Sequence, residues 1–473
     1  MYALCAANAA YLAGLVAGEG DDACIVAGTG APLARMLRRG GAVATTLDEH
    51  EDMLRANVGS PLSAGIVIGA APVVQLLEDL GVRAVLPFKS GPRLWKMAEW
   101  QGLRVLATAD KLTRQLENKL ALTEIAGAAE ARIPDTVTVR LDEGLAAAAN
   151  EIALPRVFQP AVGFAGAGTV LLRAPRDIVN LVEHAPGGVT IGKLVEYVDG
   201  EPVTINGVVI PPGVHGADET DGEVLVGMVA RQLTGIPGLT PTDFGSCGND
   251  WALPPQRAQV IAARSLAGRI GEVLAARGFA GAFGIDAVIP TGGGVPVLIE
   301  INPRWTASLA LQVELQELQG LPTLLDAHLA AFGWEPDQRA SLEELRAAYG
   351  HDEDAGCTRG VEPVSTVIAY NSSGRDAFID PAFEPGVWRT TGAGADLDIE
   401  RVRDGWRFSH IEAPDEFIAI PHGVERAVSH GSYLVRIVRR GPAAASARAN
   451  ELRDDVRPLI ERVVARATRR DAS

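Results

Sequence analysis

The sequence predicts three parts: an α/β N-terminal domain over residues 1–110, an α+β core over 111–350, and a small α+β C-terminal domain over 351–473. Three observations carry this. Strand-like and helix-like runs alternate through the first 110 residues. Hairpin-like strands and one long helix fill the middle. Strand signals return from about residue 356 and end in a helix-patterned tail. The chain has 473 residues, and single hydrophobic cores stop growing near ~250–300 residues, so more than one domain is expected.

In the first part, "DACIVAGTG" reads as a strand ending in a glycine turn, and "APLARMLRRGG" as a helix with a Gly stop. "AGIVIG" reads as a strand, "PVVQLLEDLG" as a helix, "RAVLPF" as a strand, "PRLWKMAEWQG" as a helix and "LRVLATA" as a strand. Such alternation implies parallel strands with crossover helices. "GTGAPLA" lacks a full dinucleotide or phosphate-loop pattern and reads as an ordinary strand-to-helix turn. In the core, "KLTRQLENKLALTEIAGAA" reads as one helix leading to the strand "RIPDTVTV". "LPRVFQPAVGFAGAGTVLL" and "IGKLVEYVDGEPVTINGVVI" read as hairpin-like strands. A helix near 255–277, the segment around Glu300, and helices near 322–332 and 341–349 follow. The last part carries the strands "VSTVIAY", "EFIAIP" and "SYLVRIVRRG". In its tail, Leu452, Val456, Leu459, Ile460, Val463 and Val464 repeat at helical spacing, as a helix packed on the body would.

Composition excludes several roles. Lys and Arg number 43 against 59 Asp and Glu, a formal charge of −16, which argues against nucleic acid or an anionic membrane surface as partner. No apolar run reaches the roughly 18 residues of a membrane span. The N-terminus lacks a basic region followed by an apolar segment, so no signal peptide is expected. Cys5, Cys24, Cys247 and Cys357 are scattered without a CxxC pair, which fits a reducing cytoplasm and argues against structural zinc. Lysine is scarce: Lys89, Lys96, Lys111, Lys119 and Lys193 stand among many arginines.

The most informative stretch is "VLIEINPRW". Glu300 and Asn302 interrupt a buried-strand pattern two residues apart, so they share a face. Upstream, "FGIDAVIPTGGGVP" supplies a strand and a turn. A hairpin centred on Gly293 places Asp286 opposite Glu300 and Ile289 opposite Val297. Facing carboxylates repel unless a cation lies between them. Asp286, Glu300 and the Asn302 oxygen, with no His or Cys nearby, suit Mg²⁺ or Mn²⁺ on a nucleotide. A solvated hairpin end with ordinary charges fits the same spacing. "GFAGAG" adds Gly163, Gly166 and Gly168 between two strands, where backbone N–H groups can cover phosphates; a flexible turn fits it equally.

The order helix-Lys, Gly-rich hairpin, "EYVDGE", Asp, then "EINPR" resembles the ATP-grasp superfamily of carboxylate–amine ligases over roughly residues 111–335. The preceding "RAVLPFKSGPRLWKMAEWQGLRVLATADKLTRQLENK" resembles the pre-ATP-grasp domain of a subgroup that includes the pheganomycin-type peptide ligases. The resemblance implies an ATP-grasp core with ATP and Mg²⁺ (or Mn²⁺) as cofactors. It implies Asp286, Glu300 and Asn302 as metal ligands, Lys119 at a phosphate, and Glu196 with the backbone around Val198 at the adenine. Glu201 would reach the ribose, and Arg304 would neutralise a transferring phosphoryl group or acyl phosphate. Lys119 and Glu201 also read as ordinary solvated side chains. The family usually carries a second lysine in a "VKP" setting; here the run is "VFQP", with Gln159 in its place, and Lys193 on the neighbouring strand is a candidate replacement. Arg231 is a candidate carboxylate clamp, and His215 a candidate proton carrier.

The resemblance implies an ADP-forming ligase that makes an amide through an acyl phosphate, in peptide natural-product biosynthesis, acting on a peptide or small-molecule carboxylate and an amine. A homodimer is compatible with the sequence. Ligation of free amino acids, formation of carboxyphosphate, and nucleotide binding without catalysis remain the alternatives.

Overall fold

The computed structural model describes residues 1–50, 52, 62–161, 168–185, 189–214, 222–334, 340–350, 362–392, 394–423 and 427–469. Five parallel strands form the first sheet: β1 (Tyr2–Asn8), β2 (Ala23–Thr29), β3 (Val43–Thr46), β4 (Ala84–Pro87) and β5 (Arg104–Val105). Their order is β3-β2-β1-β4-β5, so the chain reverses direction across the sheet between β1 and β4. Crevices at the carboxyl ends of strands flanking such a reversal are where open α/β sheets bind ligands. Every residue of β2 is buried, as covered parallel strands require.

Helices Ala31–Arg39, Ala71–Asp79 and Pro92–Trp100 fall where the sequence places them. "AGIVIG" does not: Ala64–Ile68 is a helix. All five residues are buried, so the helix has no polar face, and a short apolar run reads the same in either conformation. Its glycines permit close packing on helix Pro92–Trp100. A Cβ on Gly65 would lie 2.5 Å from the Leu94 nitrogen, and one on Gly69 2.9 Å from the Met97 sulfur. Strands β1 and β3 extend the sequence reading; β1 is rich in alanine, a weak strand former.

The helix expected from residue 111 is broken. Asp110–Glu117 is followed by a 3₁₀ turn, Lys119–Ala121, and then helix Leu122–Ala128. Asn118 leaves helical geometry at φ −68 and ψ 115, and its side chain accepts from the Leu120 N–H, starting the next turn. The break turns Lys119 inward, 7% exposed.

A four-stranded antiparallel sheet follows: β6 (Thr136–Arg140), β7 (Arg156–Pro160), β8 (Val170–Leu172) and β9 (Ile191–Glu196), in the order β6-β9-β7-β8. The β7–β8 hairpin is as expected, with Phe158 opposite Val170. The second hairpin is not. Strand β9 pairs with β6 and β7, whereas β10 (Gly200–Ile210) pairs with β11 (Glu223–Thr234) and β13 (Gly281–Pro290) in another sheet. Residues 197–199 therefore link two sheets.

That second sheet is antiparallel and has ten strands. It includes β12 (Ser246–Asp250), β14 (Val297–Asn302), β15 (Val364–Tyr370), β17 (Gly386–Thr391), β18 (Asp398–Arg403), β19 (Glu416–Pro421) and β21 (Tyr433–Arg440), in the order β14-β13-β10-β11-β12-β15-β21-β19-β17-β18. The short strands β16 (Ala377–Phe378) and β20 (Ala427–Val428) pair separately. The expected boundary at 350 is not a boundary of this sheet, because β12 pairs with β15. Leu4, Val208 and Ile418 share one apolar cluster, so all three sequence segments meet in a common core.

Helix Arg257–Ala276 matches expectation, and helix Leu309–Leu318 is an addition. Its residues 309–316 are all buried, which removes the amphipathic signal. The terminal helix spans Arg457–Ala467; Leu452 and Val456 are buried ahead of it. No helix among the described residues is long and apolar enough to cross a membrane.

Candidate active site

A cavity of about 320 Å³ lies between the two antiparallel sheets, within the ~300–1,000 Å³ of small-molecule sites. Val157, Gln159, Lys193 and Val195 line it from the small sheet; Thr204, Gln232, Asn249, Asp286, Glu300 and Asn302 line it from the large one.

The carboxylate pair follows from hairpin register. Asp286 faces Glu300 and Gly284 faces Asn302. A bulge after Asp286 shifts the rest by one residue, so Val288 and not Ile289 faces Val297. Asp286 accepts from Thr204 Oγ1 at 2.7 Å, Gln232 Nε2 at 3.0 Å and Asn302 Nδ2 at 3.2 Å. Burial pushes its carboxyl up to about 6, the Glu300 charge adds to this, and the three hydrogen bonds oppose it. Glu300 lies 3.6 Å from Lys119 Nζ.

This donor set fits a hard divalent cation. Two carboxylates face one another, and no group of three or more His, Cys, Asp or Glu gathers among the described residues. Mg²⁺ is satisfied by one or two carboxylates when phosphates and waters fill its other positions. The Asn302 side chain is engaged otherwise: its amide donates to Asp286, and its oxygen accepts from Arg304 NH2 at 2.9 Å.

Gln159 and Lys193 are direct cross-strand partners between β7 and β9. Both are buried, at 8% and 3% exposure. Burial pushes the Lys193 amine down to about 8, Lys119 pushes in the same direction, and Glu300 pulls it back up. Glu196 at the end of β9 lines the cavity, as does the link between the sheets, residues 197–199, which includes Val198. The Glu196 N–H donates to the Asp135 carbonyl at 2.8 Å. Gly168 has a φ of +75, which glycine adopts without strain. Gly163, Gly166 and His215 lie outside the described residues.

Arg304 lines the cavity. It donates to Glu117 Oε1 at 3.2 Å and to the Trp305 carbonyl at 3.0 Å. Glu117 also accepts from Lys89 at 2.9 Å. Trp305 is 2% exposed and belongs to the core.

Arg231 is not placed as a substrate clamp. It is 5% exposed and donates to Glu201 Oε2 at 2.6 Å, the Leu253 carbonyl at 2.5 Å and the Ala447 carbonyl at 2.9 Å. Its fork is consumed in tying β11 to β10 and to two loops, and Glu201 is turned to it instead of to a ribose. A further part of the cavity wall carries no sequence signal. Tyr11, Phe88, Ile368 and Tyr370 line it; they come from three distant segments and form no motif.

Compared by sequence, the chain matches no protein-family model and no curated protein. Compared by structure, it is similar to the biotin carboxylase domain of 2-oxoglutarate carboxylase from Hydrogenobacter thermophilus, solved with MgADP, ADP and bicarbonate. The TM-score is 0.54 and the identity 14%, over 93% of this chain and 86% of that one. It is similar to carboxyaminoimidazole ribonucleotide synthase from Aspergillus clavatus complexed with ATP, at TM-score 0.53 and 14% identity over 98% and 99% of the two chains. A third neighbour is phosphoribosylamine–glycine ligase from Thermotoga maritima, at TM-score 0.51 and 12% identity over 98% and 97%. At these identities the likeness is one of fold. The fold likeness spans nearly the whole of this chain in each case.

Proposed function

We propose that this chain is an ATP- and Mg²⁺-dependent, ADP-forming ligase that makes an amide bond through an acyl phosphate. The observation that carries the reading is the facing pair Asp286 and Glu300, in register on β13 and β14, at a cavity closed on its opposite side by Gln159 and Lys193. Asp286 and Glu300 would hold Mg²⁺, which supplies charge neutralisation across the phosphates during transfer. Residues 196–199 would bind the base. Lys193, Gln159 and Lys119 would orient the phosphates, and Gly163, Gly166 and Gly168 belong to the loop proposed to cover them. Arg304, held by Glu117 and the Asn302 oxygen, presents a fixed cation to the acyl phosphate, whose oxygens its planar fork matches. Attack by an amine then releases phosphate, and no protein nucleophile is required.

Amide formation in peptide natural-product assembly is the form of the reaction we propose, following the pheganomycin-type resemblance of residues 83–119. A homodimer belongs to the same proposal, by likeness to the biotin carboxylase domain dimer. Formation of carboxyphosphate is the second reading, favoured by the bicarbonate-bound neighbour. ATP turnover assayed with carboxylate–amine pairs and, separately, with bicarbonate distinguishes them. ADP release that requires both carboxylate and amine supports ligation. Release driven by bicarbonate alone supports the second reading. Absence of turnover with every pair overturns both.

A further inference from the structure

We infer that the part of the cavity lined by Tyr11, Phe88, Ile368 and Tyr370 is the subsite for the acyl substrate, and that it takes a carboxylate with an aromatic or apolar body in preference to a phosphorylated one. The inference rests on the ligase reading above and adds the substrate class.

Its walls are set by the first sheet. Asn8 ends β1, and its side chain accepts from the Ala10 N–H at 2.8 Å and donates to Thr29 Oγ1 at 2.9 Å. That cap fixes the 3₁₀ turn Ala9–Tyr11. Phe88 follows β4, and its N–H donates to the Cys5 carbonyl of β1 at 2.8 Å. Tyr11 and Phe88 therefore emerge side by side at the reversal between β1 and β4, the position where such sheets bind ligands. Their rings stack, with centroids 4.6 Å apart and planes at 13°. Ile368 and Tyr370 of β15 complete the apolar surface.

Two cations reach this part of the cavity, one of them, Arg304, already paired with Glu117. The two ionic charges that act on Tyr11 are Arg436 and Arg304, while burial works against them. Arg436 pairs in register with Ile368, is 6% exposed, and donates to the Ala10 carbonyl at 3.0 Å and weakly to Thr366 Oγ1 at 3.4 Å. It has no ion-pair partner among the described residues. Glu314, the carboxylate whose charge reaches it, is held by Arg407 and by the Ser409 N–H. Arg436 is buried and is not among the residues that line the cavity, so a ligand carboxylate arriving beside Tyr11 would feel its charge through the wall. One singly charged group satisfies this field, while the ring stack and Ile368 offer apolar area to the rest of the molecule. A sugar phosphate would place hydroxyl groups against that surface without partners.

The test is a ligand-observed NMR titration of the whole chain with MgADP present, using phenylalanine, leucine, glutamate and ribose 5-phosphate as probes. MgATP affinity is measured in parallel by calorimetry. Phenylalanine and leucine should bind. Tyr11→Ala and Phe88→Ala should weaken phenylalanine roughly tenfold without changing MgATP affinity, Tyr11→Phe should keep it, and Ile368→Trp should block it by filling the site. Preference for glutamate or ribose 5-phosphate, binding of no probe, or phenylalanine binding unchanged in Tyr11→Ala and Ile368→Trp overturns the inference. Loss of MgATP binding with phenylalanine binding intact would instead strike the nucleotide reading and leave the subsite standing.

Discussion

Replacing Lys193 with methionine should stabilise the protein and weaken ATP binding at the same time. Lys193 is 3% exposed, beside Lys119 and opposite Gln159. Its amine falls from an ordinary 10.5 to about 8, chiefly through burial. At about 1.4 kcal/mol for each tenfold, holding that charge costs the folded chain roughly 3 kcal/mol at pH 7. The sign follows from the direction: the unfolded chain binds this proton more tightly. The cost is therefore present in full below about pH 8 and fades as pH rises toward 10.5. Methionine keeps the length and removes the charge, so Tm should rise at pH 7 and the gap to wild type should close at alkaline pH. The nucleotide loses a charge-assisted hydrogen bond of about 1.5–3 kcal/mol, which corresponds to a Kd roughly ten- to hundredfold weaker. Near pH 8, where about half of the Lys193 amines are neutral, ATP binding should draw up to about half a proton from solution. Scanning calorimetry gives the Tm, and titration calorimetry in two buffers of different ionisation heat gives Kd and proton uptake. A lower Tm at pH 7, or an unchanged Kd, would refute the reasoning that Lys193 is held charged for the nucleotide.

Glu300→Ala should abolish ATP turnover while leaving circular dichroism near wild type, with the loss of the Lys119 partner and the relief of the Asp286 repulsion acting on Tm in opposite directions; normal turnover would show that no metal is held there. Gln159→Ala should raise the KM for ATP. Gln159→Lys alone sets two ammonium groups directly opposite and should lower Tm, whereas Gln159→Lys with Lys193→Gln should restore both Tm and KM; a double variant no better than the single one would show that the pair does not act together. Arg231→Ala should cost about 3–5 kcal/mol of stability, because it leaves Glu201 and two carbonyls unpaired, with little change in the KM of enzyme that remains folded. A specific rise in KM for a carboxylate substrate would return Arg231 to the substrate site.

What was legible in the sequence was mostly local. Asp286 and Glu300 lie on one hairpin, so register could be counted from the turn; only the bulge after Asp286 escaped, because a single unpaired residue leaves no compositional mark. The motif order was legible because its signals follow one another along residues 111–335. The errors came where tertiary packing decides. "AGIVIG" is apolar on every side whether strand or helix, and two helix-backbone glycines against helix Pro92–Trp100 settle it. Asn118 interrupts a run of good helix formers because its side chain caps the next turn. The segment 191–210 looks like a hairpin, yet its strands join different sheets, and no local signal distinguishes a turn from a hinge. Arg231 is a clamp candidate by residue type alone, and its partners come from positions 201, 253 and 447. Tyr11, Phe88 and Tyr370 could not be grouped without the fold.

The most direct measurement is the nucleotide product released when the purified chain is incubated with ATP, Mg²⁺, an aromatic or apolar carboxylate and an amine, beside Glu300→Ala. The account predicts ADP and phosphate in step with amide formation, both lost in the variant. AMP and pyrophosphate as the main products, or equal turnover in Glu300→Ala, would contradict it.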